Sequence, residues 1–193
     1  RFEGITAPLW SRHAHRLLTS CERLRMPAPD VHSLLQEAQQ TVGDQRQAVV
    51  RITLTRGVGA RGYALPAVTS VTRIVAAFPI PAVHASIYRD GVRMHRCQTT
   101  LADQPLLAGM KHLNRLEQVL ARAEWSDTAI GEGLLCDQHG NAICATAANL
   151  FAVIGDVLVT PSVERCGVAG VARAAVLDAL PGCQIRELPL TEI

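Results

Sequence analysis

Lysine is almost missing from this chain: of 19 basic residues in 193, all but Lys111 are arginine. A mutational bias toward arginine removes lysine wherever a guanidinium will serve, so the one that stays is a candidate for amine chemistry. A neutral amine attacks a carbonyl and forms a Schiff base, whereas a guanidinium stays protonated. Net charge is also scarce. A formal +2 gives no argument for nucleic acid or an anionic membrane surface. No apolar run approaches the roughly 20 residues of a membrane-spanning helix. The six cysteines, Cys21, Cys97, Cys136, Cys144, Cys166 and Cys183, form no CxxC pair, which leaves no redox motif, zinc ribbon or other metal site to read. Reduced thiols in the cytoplasm are the expectation. GxSxG, HExxH and a defensible carboxylate pair are absent as well.

What is present is an ordinary globular composition, 48% hydrophobic and 19% charged. The chain opens at Arg1 without methionine and stops just after a strand-like run, so both termini of a longer protein are expected to be missing. Apolar spacing predicts helices over 8–26 and 31–42, separated by Pro27 and Pro29. The run QAVVRITLTR at 47–56 alternates like a strand, with 70–78 as its partner. Pro79 and Pro81 mark a stiff linker, giving a small α+β domain at 1–79 and a larger one at 80–193. A hairpin is expected around Arg89-Asp90-Gly91, and a helix from Lys111 to Trp125 with Leu113, Leu116, Val119 and Leu120 on its apolar side. Strands follow at 133–137, 142–145, 149–154 and 157–160, joined by turns too short for parallel crossovers. A glycine-led helix at 167–180 and a last strand at 184–188 complete an α+β pattern without internal repeats.

Three segments could carry chemistry. Lys111, at the expected head of a helix, would feel the macrodipole and any burial as a pressure toward the free amine, although a surface lysine at a helix start has the same spacing. Gly167-Val168-Ala169-Gly170-Val171-Ala172-Arg173 can turn backbone amides toward a phosphate, and equally can be a plain glycine turn before a helix. Arg16, beside His13 on the first helix, could grip a phosphate or could be ion-paired. The loop Arg56-Gly57-Val58-Gly59-Ala60-Arg61-Gly62-Tyr63 suits carboxylate recognition, or is simply a basic hairpin loop.

Together AGMKHLNRLEQVLAR, RGVGARGY, ATAANLF and GVAGVAR, in this order and spacing, resemble the fold-type IV pyridoxal-phosphate enzymes. That family joins branched-chain and D-amino-acid aminotransferases with the aminodeoxychorismate lyases, and the stretch after Lys111 is most similar to the lyases. The resemblance covers essentially the whole chain. It implies a two-domain D-amino-acid-aminotransferase-like fold and pyridoxal 5'-phosphate as cofactor. By position, Lys111 matches the Schiff-base lysine and proton-transferring base, and Arg16 the arginine on the cofactor phosphate. Gly170, Val171 and Ala172 match the backbone phosphate cradle, and Asn149 the motif after the cofactor-facing strand. Arg56, Arg61 and Tyr63 are assigned to substrate carboxylates.

One departure stands out. Cys144 occupies the position where the family has a glutamate bonded to the pyridine nitrogen, and a cysteine cannot keep that nitrogen protonated, so the ring becomes a weaker electron sink. This penalises transamination more than an elimination whose product gains aromaticity. The implied reaction turns aminodeoxychorismate into p-aminobenzoate and pyruvate, for folate synthesis, in a homodimer. Two alternatives stay open: an aminotransferase for D- or branched-chain amino acids, and a weakly active homologue that binds the cofactor. A nucleic-acid module is disfavoured, since 17 acidic residues nearly balance the basic ones and the RRM and helix-turn-helix signatures are absent.

Overall fold

Asp30 shows how locally the first elements are specified. Its carboxylate accepts from the backbone amides of His32 at 3.3 Å and Ser33 at 2.9 Å, and so caps helix α2 (Val31–Val42); such a cap contributes about 1 kcal/mol. Leu34, Ala38 and Val42, at i, i+4 and i+8, are buried on one side of that helix. The computed structural model describes residues 1–193 and divides into two compact units, Arg1–Val83 and His84–Ile193.

In the first unit, strands β1 (Phe2–Glu3), β2 (Gln47–Thr55) and β3 (Thr72–Phe78) form an antiparallel sheet in that order. Phe2 and Ala48 from the sheet pack with Ala38 and Val42 of α2, with Val50 and Val75 beside them. The pairing of Arg73 with Glu37 ties β3 to α2. Helix α1 (Trp10–Arg23) ends at a turn where Arg25 has a φ of 52°, costly for a residue other than glycine. The side chain of Arg56, just past β2, offsets this by donating to the carbonyl of Arg25 at 2.8 Å and to that of Leu24.

The second unit starts with helix α3 (Ala85–Asp90), where a hairpin was expected. His84 caps its first turn through Nδ1, accepting from the amide of Ser86 at 3.3 Å, and Gly91, at φ 76°, ends it. The Asp-Gly pair is thus a helix stop here instead of a two-residue turn. Strand β4 (Arg93–Leu101) then pairs in parallel with β5 (Ile130–Asp137) through the crossover helix α4 (Leu116–Arg122), and β6 (Ala142–Ala145) returns antiparallel to β5. The register of β4 breaks between Arg96 and Thr100. The break frees amides that Glu124 collects: its carboxylate accepts from Gln98 N at 2.6 Å and from Thr99 N at 2.8 Å, with the Thr99 hydroxyl at 2.6 Å. Those bonds, the threonine hydroxyl first, hold the Glu124 carboxyl down at about 2.

The same core gathers Cys97, Leu101, Ala121, Trp125, Leu135, Ile143, Cys144 and Cys166. Trp125 presses so close on β5 that a Cβ on Gly133 would stand 2.6 Å from its ring. A second small sheet, β7 (Ala152–Ile154), β8 (Val157–Pro161) and β9 (Gln184–Arg186), pairs β7 antiparallel and β9 parallel to β8, with α5 (Val171–Ala179) as the crossover. Leu188 O, accepting from Ala142 N at 2.8 Å, joins the two sheets, and a one-turn 3-10 helix, Leu190–Glu192, ends the chain. The short turns do make antiparallel pairs as expected; the parallel ones are both made across helices. No helix is long and apolar enough to cross a membrane.

Candidate functional site

Lys111 lies on an irregular segment outside any helix or strand, not at a helix head. Gly109, two residues earlier, has a φ of 77°, where a side chain would be strained. There the backbone runs beside the segment that leads to α5. Gly109 N donates to Gly167 O at 3.0 Å and Ala169 N donates to Gly109 O at 2.9 Å, so Gly109 and Val168 form a parallel bridge. On the far side of Lys111, the guanidinium of Arg115 donates from Nε to His112 O at 3.0 Å and from Nη2 to Met110 O at 2.9 Å. This strap diverts the carbonyls that a helix would use, and α4 starts only at Leu116. The expected macrodipole pressure on the amine is therefore corrected, because that effect fades within one turn of a helix end.

The glycine turn before α5 is fixed by a neighbour. Asn149 Nδ2 donates to Val168 O at 2.7 Å, and its Oδ1 would stand 2.0 Å from a Cβ on Gly170. Gly170 is the N-cap of α5 and no side chain caps the helix, so no side-chain acceptor takes the amides of Val171 and Ala172 in its electropositive first turn. Asn149 itself is outside the strand expected for it; it is bridged antiparallel to Cys144, with Ala145 N donating to Ala148 O at 2.8 Å.

Cys144 lies on β6 with its thiol buried. Burial pushes that thiol up to about 12, Cys166 adding to the shift and the Arg115 guanidinium opposing it, so residue 144 is a neutral S–H across the physiological range. Glu132 of β5 is close by, accepting from Gly133 N at 2.9 Å and from the hydroxyl of Thr146.

Arg173, in the first turn of α5, is a residue to which the sequence reading gave no role. It is 8% exposed, and it donates from Nε to Thr160 Oγ1 at 3.2 Å and from Nη2 to Pro161 O at 2.9 Å. The start of α5 is thereby locked to β8. A buried arginine with its donors spent on the backbone marks such a lock, but burial is not visible in GVAGVAR alone.

The remaining predicted residues belong to the first unit. Arg16 is half-buried on α1, and burial lowers its pKa. Arg56 spends its guanidinium on the end of α1, as above. Arg61 and Tyr63 are exposed on the loop between β2 and β3. At the base of that loop Gly57 passes so near Ser70 that a Cβ would fall 1.9 Å from its carbonyl oxygen. In the second unit, by contrast, the structure gathers the Lys111 segment, Cys144, Asn149 and Gly170–Ala172 around one glycine turn.

Known proteins share this arrangement of the chain. The family model described as amino-transferase class IV matches residues 1–193. The aminodeoxychorismate lyase of Vibrio harveyi is 35% identical over 188 residues, covering 95% of this chain and 69% of that protein. The crystal structure of 4-amino-4-deoxychorismate lyase from Pseudomonas aeruginosa superposes with a TM-score of 0.92 at 44% identity, over 98% of this chain and 72% of that one. A branched-chain amino acid aminotransferase of T.th., solved with pyridoxamine 5'-phosphate, shares the fold at a TM-score of 0.81 and 22% identity, over 94% of this chain and 63% of that one.

Proposed function

The chain belongs to the aminotransferase class IV family, and from that premise we propose that it is a pyridoxal-phosphate-dependent lyase converting 4-amino-4-deoxychorismate to p-aminobenzoate and pyruvate. p-Aminobenzoate is the aromatic precursor used in folate synthesis. The observation that carries the reading is the Gly109–Val168 bridge, which sets the segment of the only lysine beside the uncapped start of α5. The residues fit the cofactor at two ends. Lys111 is the residue type that condenses with its aldehyde, and the turn at Gly170, where Asn149 leaves no room for a Cβ, presents backbone donors for its phosphate.

When bound, the cofactor supplies an electron-withdrawing ring conjugated to the substrate amine. Lys111 would hold its aldehyde carbon and, once displaced by the substrate amine, take the proton from the amine-bearing carbon of the substrate. Loss of that proton to Lys111 would let the enolpyruvyl group leave with its C–O electron pair on oxygen, making the six-membered ring aromatic, and the released enolpyruvate would take a proton to become pyruvate. The amides of Val171 and Ala172, with Gly170, would hold the phosphate, and Asn149 keeps that turn in place through Val168 O. Cys144, a neutral thiol where the family has a glutamate, would itself give the cofactor no anionic partner, which suits an elimination driven by aromaticity better than transamination.

Arg16 is proposed as a further phosphate ligand. Arg61 and Tyr63 are proposed as carboxylate ligands, with Arg56 anchoring the base of their loop. A homodimer is the proposed assembly, supported by the apolar side chains that α4 and its approach leave outward: Leu113, Leu116, Val119 and Leu120 are each more than half exposed. The cytoplasm is the proposed location, supported by six unpaired cysteines. A second reading, an aminotransferase for D- or branched-chain amino acids, is supported by the family model, whose description names that class of reaction.

Purified protein given pyridoxal phosphate and aminodeoxychorismate, with no keto acid, separates the two. Equimolar p-aminobenzoate and pyruvate are expected; substrate consumed without p-aminobenzoate contradicts the lyase.

A further inference from the structure

Asp103 and Arg165 lie on two segments that are far apart in sequence and run side by side toward the site. Asp103 Oδ2 accepts from Arg165 Nε at 2.9 Å and also from Arg165 Nη2. His139, from the turn after β5, completes the cluster, its Nε2 3.3 Å from Asp103 Oδ2 and 3.0 Å from Arg165 Nη2. One residue further along, Gln104 N donates to Arg165 O at 2.8 Å. At the inner end of the same pair of segments are the two bonds of the Gly109–Val168 bridge. Lys111 follows one segment directly, and Gly170 with the first turn of α5 follows the other.

We propose that Asp103 and Arg165 form a clamp, with both acting as positioning residues, that sets the register between the lysine segment and the phosphate turn. The inference rests on the function proposed above. The geometry favours a clamp over an incidental surface pair for two reasons. The Asp103 side chain is only 21% exposed, and its Oδ1 is buried without a hydrogen-bond partner, so its charge relies on Arg165 and His139 through Oδ2 alone. Moreover, the side-chain pair and the Gln104–Arg165 bond fix the outer end of two segments that meet again, past the turn at 105–108, at the Gly109–Val168 bridge beside both proposed cofactor contacts, so a slip at the outer end shifts the inner end. Asp137, the nearby carboxylate, is occupied elsewhere: it accepts from His139 N at 2.9 Å and from Asn141 N at 2.8 Å and Nδ2 at 3.0 Å.

The test compares the whole protein with Asp103→Asn, Arg165→Gln, Arg165→Lys and the Asp103→Asn/Arg165→Gln double variant. Hydrogen exchange without cofactor reads the register between the segments, and titration with pyridoxal phosphate reads its consequence. In Arg165→Gln the peptides spanning 104–111 and 165–172 should exchange about tenfold faster while the other peptides stay unchanged. Cofactor affinity should fall about tenfold with the thermal midpoint nearly unmoved. Asp103→Asn should behave likewise but more mildly. Arg165→Lys should recover most of the loss, and the double variant should be less impaired than Arg165→Gln. Exchange and affinity unchanged in Arg165→Gln, or a thermal midpoint that falls in step with affinity, would overturn the clamp while leaving the function standing. Failure of the unaltered protein to take up pyridoxal phosphate would overturn the function and the clamp with it.

Discussion

Asn149 occupies the space that a side chain on Gly170 would need: its Oδ1 would be 2.0 Å from a Cβ there, and its Nδ2 holds Val168 O at 2.7 Å. The amide thereby fixes both the backbone path into α5 and the identity of the residue that caps it. Gly170→Ala must therefore push Asn149 off Val168 or tilt the first turn of α5. The expected cost is about 1–3 kcal/mol in urea unfolding. Affinity for pyridoxal phosphate should fall by more than that instability explains, since the displaced turn is the proposed phosphate cradle; equal affinity in the variant would separate the turn from the cofactor.

Arg173 bears on the same helix start from behind. Replacing it by alanine leaves the carbonyl of Pro161 without its buried donor, at an expected cost of about 2–4 kcal/mol. Arg173→Lys should recover little of this, because a single ammonium cannot span Thr160 Oγ1 and Pro161 O as the guanidinium does. Urea unfolding of the three proteins at neutral pH checks both statements.

Alkaline stability follows from the buried thiols. Burial raises Cys144 to about 12 and Cys97 and Cys166 to about 11, from an ordinary value of 9.0. Each group's folded pKa exceeds its unfolded one, so the folded state binds more protons above pH 9. The stability they contribute is complete below pH 9 and is lost as pH rises through about 11–12. Urea midpoints should be level from pH 7 to about 8.5 and decline above it. Cys144→Ala should flatten that decline, and a slope unchanged by the substitution would mean that the thiol ionises as readily in the folded chain as in the unfolded one.

Much of the fold could be read locally. The first-unit elements α2 and β2 carry their own signals, a capping Asp30 before an apolar stripe and a β-branched alternation at 47–55, and they form where those signals lie. Two of the misreadings have a shared cause: a local signal that serves two structures. Asp90-Gly91 supplies a positive φ that ends a helix as well as it turns a hairpin, and His84 decides the matter by capping α3. The apolar period after Lys111 suggested a long helix facing the core, yet Leu116, Val119 and Leu120 are exposed and only Ala121 of α4 is buried. The strap from Arg115 to Met110 and His112, past which α4 begins, is a local side-chain choice that apolar periodicity does not encode.

The site was legible as residue types and less so as a geometry. The shortage of lysine pointed to Lys111, and the glycines at 167 and 170 pointed to the turn. That the two meet depends on hydrogen bonds between residues nearly 60 apart in sequence, at Gly109 and Gly167, and on Asp103 reaching Arg165. Arg56 shows the opposite limit. A loop arginine among glycines suits a ligand, but in the folded unit its guanidinium goes to the exposed carbonyls at the end of α1.

The central claim is that Lys111 is the residue that holds the cofactor. Borohydride reduction of the protein after incubation with pyridoxal phosphate, followed by peptide mapping, tests it most directly. A single phosphopyridoxyl group on the peptide containing Lys111, absent in Lys111→Arg although that variant folds with an unaltered circular dichroism spectrum, is the predicted result. A label on any other residue, or no label on the unaltered protein, would contradict the account.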